Sequence, residues 1–344
     1  MKGTFRWLRL LWPLSIPYAF AVRVKAWLYA RGIFRARRLP GLVISVGNIT
    51  VGGTGKTPTV LAIAERLAGQ GRRVAILTRG YRGAASNEAE RGEPQSDEVA
   101  LMRERLEGKV PLGVGADRYE AGMALARHGI NTFVLDDGFQ HLKLARDVNI
   151  ALIDATDPFG GGGVLPSGRL REPLSALKRA GIVMITRSLQ TPSPALEAVL
   201  RRHNSSPIFY ASTCLQGVLR IPRLDVPLRE EDWKKARFFA FCAIGNSSAF
   251  FGDLRQWGFQ VAGERFFRDH HSYTQAEAVE LEQAAAGCGA DALLCTEKDV
   301  WNLRNARFHN LPVYCARISF ELPAAFWEQL TQRMQQTLTT GTRE

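Results

Sequence analysis

The stretch LVISVGNITVGGTGKTPTV, residues 42–60, constrains the fold more than any other part of the chain. An apolar run predicts a buried strand, a glycine-rich turn follows, and periodic apolar residues predict a helix over Pro58–Ala68. That context is what a phosphate-binding loop requires, and it leaves little room for a plain glycine turn. Within the loop, Thr50, Val51, Gly52, Gly53, Thr54, Gly55, Lys56 and Thr57 are the expected nucleotide cradle. The glycines let backbone N–H groups approach phosphate, Lys56 reaches the β and γ phosphates, and the Thr57 hydroxyl suits Mg²⁺. One departure stands out: the strict G-x-x-x-x-G-K-[ST] pattern has glycine where this chain has Thr50. ATP with Mg²⁺ is the expected ligand.

The rest of the chain continues the alternation of strand and helix. VAILT, TFVLD, NIALIDA, IVMIT and PIFYA alternate with helical patterns near Asp97–Leu106 and Arg118–Arg127. This predicts crossover units on a parallel sheet covered on both faces. The fold class is therefore α/β, with a P-loop NTPase-type parallel-sheet domain over residues 39–205. Residues 206–233, with Pro207, Pro222 and Pro227, read as a β-strand linker, and 234–344 as a second, smaller α/β domain. Asp136 and Asp137 end the TFVL strand at the carboxyl edge, where ligands of open α/β sheets bind, so one or both are expected to hold Mg²⁺.

The net charge of +12 is unevenly placed. Nine basic residues and no acid lie in residues 1–38, which leaves 12 − 9, or only +3, for the remaining 306 residues. No broad basic face for nucleic acid is implied. Between Arg9 and Arg23 run thirteen uncharged residues, too few to span a bilayer. Trp7, Trp12, Tyr18, Trp27 and Tyr29 interleave with the cations, a composition that settles at headgroup level on an anionic membrane surface. Two other readings compete for this segment: a signal peptide, imitated by Ala19-Phe20-Ala21 but opposed by the ATP-type loop that follows, and a first helix packed on the protein's own core. Five sparsely spaced cysteines, with no CxxC pair, indicate neither a disulfide framework nor a zinc knuckle.

A loop and a metal carboxylate do not choose among switch GTPases, partitioning ATPases and kinases. Guanine readers carry N-K-x-D, whereas Thr296-Glu297-Lys298-Asp299 has its lysine one place late. Partitioning ATPases carry a lysine where this chain has Val51. Further blocks are LTRGYRG at 77–83, SDE at 96–98, GADR at 115–118, LDDGFQH at 135–141, LPSGRLREP at 165–173, FRDHHSY at 267–273 and TEKD at 296–299. Together with the loop they resemble the tetraacyldisaccharide 4'-kinases, which phosphorylate the lipid A precursor at the inner membrane of Gram-negative bacteria.

The resemblance implies roles for particular residues. Asp97 would act as base on a sugar hydroxyl, supported by an imidazole from the second domain, His270 or its neighbour His271. Glu172 would join the metal shell, and Arg79, Tyr81, Arg118 and Arg171 would face the transferred phosphoryl group or the substrate's own phosphate, for which a planar guanidinium is suited. The expected substrate is a tetraacyl glucosamine disaccharide 1-phosphate, met at the cytoplasmic face of the inner membrane by a peripheral or monotopic protein with no nucleic-acid or obligate protein partner. The alternative is a membrane-recruited P-loop ATPase switch acting on a protein partner.

Overall fold

The computed structural model describes residues 11–80, 96–188, 192–224 and 226–341. In chain order its first half contains α1 (Trp12–Ala30), β1 (Leu42–Asn48), α2 (Lys56–Gly69), β2 (Val74–Thr78), α3 (Asp97–Leu106), β3 (Leu112–Val114), α4 (Arg118–Arg127), β4 (Thr132–Leu135) and β5 (Val148–Asp154). There follow β6 (Ile182–Thr186), α5 (Pro194–Arg201), β7 (Ile208–Arg220), β8 (Pro227–Leu228), α6 (Glu230–Lys235), β9 (Arg237–Cys242) and α7 (Ser247–Gln256). The last elements are β10 (Gln260–Phe266), α8 (Gln275–Gly287), β11 (Ala292–Thr296), α9 (Glu297–Asn302), β12 (Val313–Glu321) and α10 (Ala324–Gly341).

These elements form two compact units. The first takes in Met1–Glu93, Leu106–Ser212 and Glu321–Glu344, and the second Pro94–Arg105 and Thr213–Phe320. Two assignments differ from the sequence expectation. Helix α3 belongs with the second unit, because Arg105 donates to the Ile318 carbonyl and Arg317 bonds Glu104. Helix α10 belongs with the first, where Phe326, Leu330 and Met334 are buried and Phe326 meets Phe209 edge to face at 5.8 Å. Neither helix is adjacent in sequence to the strands it covers, so local pattern could not assign it.

In the first unit the strand order is β7-β6-β5-β1-β4-β2-β3, all parallel. Strands β1, β2, β4, β5 and β6 are buried along their whole length, which explains their continuous Val, Ile and Leu runs: a parallel sheet with both faces covered leaves no solvent side. Because every strand points the same way, the ends of β1, β2, β4, β5 and β6 all open at one edge. In the second unit the order is β10-β9-β11-β12-β7, with the short β8 antiparallel to β7. Of the stretch 206–233 expected as a β-strand linker, Ile208–Arg220 form the long strand β7 and Pro227–Leu228 the short β8.

Helix α1 docks with a narrow face. Ser15 and Ala19 are buried, the Ser15 hydroxyl donates to the Val164 carbonyl at 2.9 Å, and the Tyr18 hydroxyl donates to the Arg171 carbonyl at 3.1 Å. Leu11, Trp12, Leu14, Ile16, Phe20 and Trp27 remain exposed, as do Ile33 and Phe34 beyond the helix. Among the described residues no helix is long and apolar enough to cross a membrane. Two cations counted with this arm serve the body: Arg37 bonds Asp117 and Glu120 and lies over the Tyr119 ring, and Arg38 pairs with Asp147.

Candidate active site

The phosphate loop leaves β1 at Asn48 and enters α2 at Lys56. Gly55, the residue before the helix, has φ +81°, and Gly52 has φ +121°, conformations that side chains rarely adopt. Three loop carbonyls are held from outside. Arg169 donates to the Val51 carbonyl at 3.2 and 2.7 Å, Arg187 to the Gly53 carbonyl at 2.5 Å, and the Thr186 hydroxyl to the Thr54 carbonyl at 3.0 Å. In a planar trans peptide the following N–H points the opposite way. The N–H groups of Gly52, Thr54 and Gly55 are thereby turned away from those side chains, as an anion cradle needs. Asn48 steadies the arrangement by donating to the Thr54 hydroxyl at 2.8 Å. Thr50, the residue in the place of the usual glycine, is buried and bridges to Leu170.

Beside the loop, Asp136 and Asp137 follow β4 as expected but have different partners. Asp136 is buried and accepts from the Thr78 hydroxyl at 3.0 Å. Asp137, with φ +48°, accepts from Arg171 at 2.9 and 2.8 Å and lies 3.6 Å from the Lys56 ammonium. Burial alone would raise the Asp137 carboxyl, but Lys56, Arg171 and Arg118 outweigh it and hold it below the ordinary carboxylate value. Arg118 is buried and donates to Nδ1 of His141 at 3.1 Å. Desolvation and the charges of Arg118 and Arg146 push His141 down to about 4, so the ring is neutral and accepts at Nδ1. Arg79, at the end of β2, is near enough to Arg118 for their like charges to act on one another.

Glu172 has a structural partner. Both its oxygens accept from one nitrogen of Arg179, at 2.7 and 2.8 Å, so we leave it out of the metal set proposed below. Tyr81 lies outside the described residues. Asp154 and Arg187, which the sequence reading missed, form a buried pair at 2.6 Å at the ends of β5 and β6. The signal available was modest: a carboxylate and a guanidinium each closing an apolar strand.

The second unit brings Asp97 and His270 together. Nδ1 of His270 lies 3.1 and 3.0 Å from the two Asp97 oxygens, and Asp97 is buried at the start of α3. His271 instead faces Glu277 at 2.9 Å and stacks on Phe267, so the imidazole beside Asp97 is that of His270. The hydrogen bond to Asp97 raises the His270 pKa. Burial would raise Asp97, but His270 and the charge of Lys298 bring it below its usual value. Hence the two favour an ion pair. His270 has φ +61°, a left-handed conformation unusual for a non-glycine residue, and its N–H donates to the Ala243 carbonyl at 3.2 Å.

A phosphate loop on a parallel sheet, with carboxylates and arginines at the same edge and a carboxylate–imidazole pair in a second α/β unit, defines a P-loop kinase. The comparisons give the family. A family model described as LpxK, tetraacyldisaccharide-1-P 4'-kinase, matches residues 7–335, and the chain belongs to that family. Tetraacyldisaccharide 4'-kinase of Geobacter metallireducens is 41% identical over 312 residues, covering 86% of this chain and 88% of its own. That of Geobacter sulfurreducens is 40% identical over 320 residues, covering 88% and 86%. A crystal structure of LpxK from Aquifex aeolicus in complex with ATP is 28% identical, with TM-score 0.69, covering 95% of this chain and 99% of that one. The activity is that of a tetraacyldisaccharide 4'-kinase, a step of lipid A biosynthesis.

Proposed function

We propose that the chain transfers the γ-phosphoryl group of ATP to the 4' hydroxyl of a tetraacyl glucosamine disaccharide 1-phosphate, and that Asp97 with His270 takes the hydroxyl proton. The observation that carries this is the Asp97–His270 contact at 3.0 and 3.1 Å, since an ATPase switch has no sugar hydroxyl to deprotonate. The loop amides and Lys56 bind the triphosphate. Lys56 already lies beside Asp137, in a site where Arg171 balances the carboxylate until phosphate brings further negative charge. As the acceptor oxygen bonds to the γ phosphorus, the bond to the β-phosphate oxygen breaks and ADP leaves. The hydroxyl proton passes to the carboxylate–imidazole pair.

The donor set suits Mg²⁺. The Thr57 hydroxyl and the Asp136 and Asp137 carboxylates are hard oxygen donors, and both Thr57 and Asp136 are buried. Among the described residues no group of three or more His, Cys, Asp and Glu side chains makes a complete cage, as befits an ion that shares its shell with water and nucleotide phosphates. When bound, the ion would neutralise charge on the β and γ oxygens. Arg118, Arg171 and Arg79 supply cationic charge around the same edge, and Tyr81 is assigned to substrate contact with them.

The exposed apolar side chains of α1, with Arg23, Lys25, Arg31 and Arg35 among or just after them, support peripheral binding to an anionic membrane surface at the cytoplasmic face of the inner membrane. Such a surface is where a tetraacylated acceptor resides. No nucleic-acid or protein partner enters this reading.

The test is lipid-dependent product formation from γ-labelled ATP by Asp97→Asn, His270→Ala and the double variant, with nucleotide affinity measured separately. Each single change is expected to depress transfer by about 10²-fold or more with little effect on ATP affinity, and the double to be scarcely worse than the worse single. Fully multiplicative losses would break the pairing, and normal transfer by Asp97→Asn would remove it as base.

A further inference from the structure

The TEKD block carries no role so far, and its helix reaches the catalytic pair. We propose that Lys298, with Asn302 one turn later on the same face of α9, is a positioning residue that holds the Asp97–His270 pair in place and in charge balance. This rests on the reading of that pair as the proton acceptor.

The start of α9 is fixed by a capping box in which Thr296 and Asp299 bond each other reciprocally. The other oxygen of Asp299 is a node. It accepts from the Ala243 N–H at 2.8 Å and from the Tyr273 hydroxyl at 2.8 Å, while the Ala243 carbonyl accepts from the His270 N–H. One buried carboxylate therefore ties α9 to Tyr273, three residues beyond His270, and to Ala243 after β9, whose carbonyl holds the His270 N–H. Asn302 adds a second tie: its carbonyl accepts from the Tyr273 N–H at 3.1 Å, and its side-chain amide reaches an Asp97 oxygen at 3.5 Å. From the opposite side, α3 is anchored by Glu297, which binds Arg317 at 2.7 Å and lies 3.4 Å from Arg105.

Lys298 occupies the remaining direction. Its ammonium is 3.1 Å from a Glu98 oxygen, and its charge is felt by Asp97 and by His270. The charged groups facing His270 are Asp97 on α3, Asp269 beside it in the turn, and Lys298 on α9; Glu98 faces Lys298. Without Lys298, the charges of Asp97 and Asp269 would act on the imidazole unopposed and hold its proton more tightly. With Lys298 present, its single positive charge opposes them, and His270 gives up and regains its proton more readily. The spacing of Lys298 and Asn302, four residues apart, brings the cation to Glu98 and the amide to Asp97, adjacent carboxylates at the start of α3.

The experiment follows the histidine ring by NMR in the full-length protein without substrate, with His270→Gln identifying its resonance. In Lys298→Met the His270 midpoint should rise by about one pH unit, and in Lys298→Arg, which keeps the charge, it should stay near the parent value. Should Lys298→Met fail to fold, Lys298→Gln carries the same expectation. The acid limb of the kcat profile should move up with the midpoint, while KM for ATP stays within about twofold. An unmoved midpoint in folded Lys298→Met or Lys298→Gln, or equal movement in Lys298→Arg, overturns the proposal whatever the rate does. A shifted midpoint with an unmoved rate profile overturns the pair as proton acceptor and leaves the hold of Lys298 on it intact.

Discussion

Arg187 offers a way to loosen the phosphate loop without touching any group that meets phosphate. Its guanidinium serves Asp154 at 2.6 Å and the Gly53 carbonyl at 2.5 Å through the same nitrogen, and the two side chains are 12% and 5% exposed. Arg187→Met removes one partner of a buried pair, which costs about 3–5 kcal/mol because a buried carboxylate loses its counter-charge. Asp154 keeps hydrogen bonds from the Thr156 N–H at 2.9 Å and its hydroxyl at 2.6 Å, so the lower end of the range applies. At roughly 2–4 °C per kcal/mol the melting temperature should fall by about 10 °C. Adding Asp154→Asn removes the stranded charge and should restore about 2 kcal/mol. Freeing the Gly53 carbonyl also frees the Thr54 N–H. One hydrogen bond to a charged group is worth about 1.5–3 kcal/mol, so affinity for a non-hydrolysable ATP analogue should fall about 10- to 100-fold. Calorimetric titration and thermal unfolding read the two effects separately, and the double variant should regain stability without regaining affinity. Unchanged nucleotide affinity in Arg187→Met would refute the argument that outside contacts orient the loop amides.

Three further outcomes are expected. Lys56→Ala should lower kcat/KM by orders of magnitude while the melting temperature stays near the parent value, measured by product formation and thermal unfolding. Replacing Trp12, Leu14 and Phe20 together by serine should release much of the protein from anionic vesicles in a sedimentation assay, with added salt weakening binding of the parent chain; unchanged sedimentation would sink the membrane reading. The Asp97–His270 pair should also leave a signature in stability against pH. The raised His270 pKa contributes stability that is complete below the ordinary imidazole value of 6.5 and is lost as pH rises through the folded-state value. The lowered Asp97 contributes above the ordinary value of 3.8 and is lost as pH falls through its folded-state value. The difference in melting temperature between the parent and His270→Gln should therefore be largest between about pH 4 and 6.5, and a flat difference would contradict the ion pair.

The parts of this molecule legible in its sequence are those written locally. The strand, turn and helix around Gly52–Thr57 follow from adjacent residues, and so do the alternating elements and the strand-end carboxylates Asp136 and Asp137. What was hidden depends on partners far apart in the chain. Nothing near Arg187 announces that it will hold a carbonyl 134 positions away, and Glu172, a plausible metal ligand by its neighbours, is claimed by Arg179 seven residues on. Lys298 stands 200 positions from Glu98, so its block could be compared with guanine readers and set aside, but its place beside Glu98, the neighbour of Asp97, could not be seen.

Helix α10 has a consequence for how the protein is made. Strands β1 and β5 leave the ribosome well before α10, which packs on them and buries Phe326, Leu330 and Met334. The phosphate-loop unit therefore waits with an open apolar face while the whole of Thr213–Phe320, a unit with its own buried cores, is being translated. Folding here runs against the usual order in which the amino-terminal domain completes first. A nascent chain stalled before residue 324 should present a finished second unit and an unfinished first one, the half that holds the nucleotide loop being the half that depends on chaperones during synthesis.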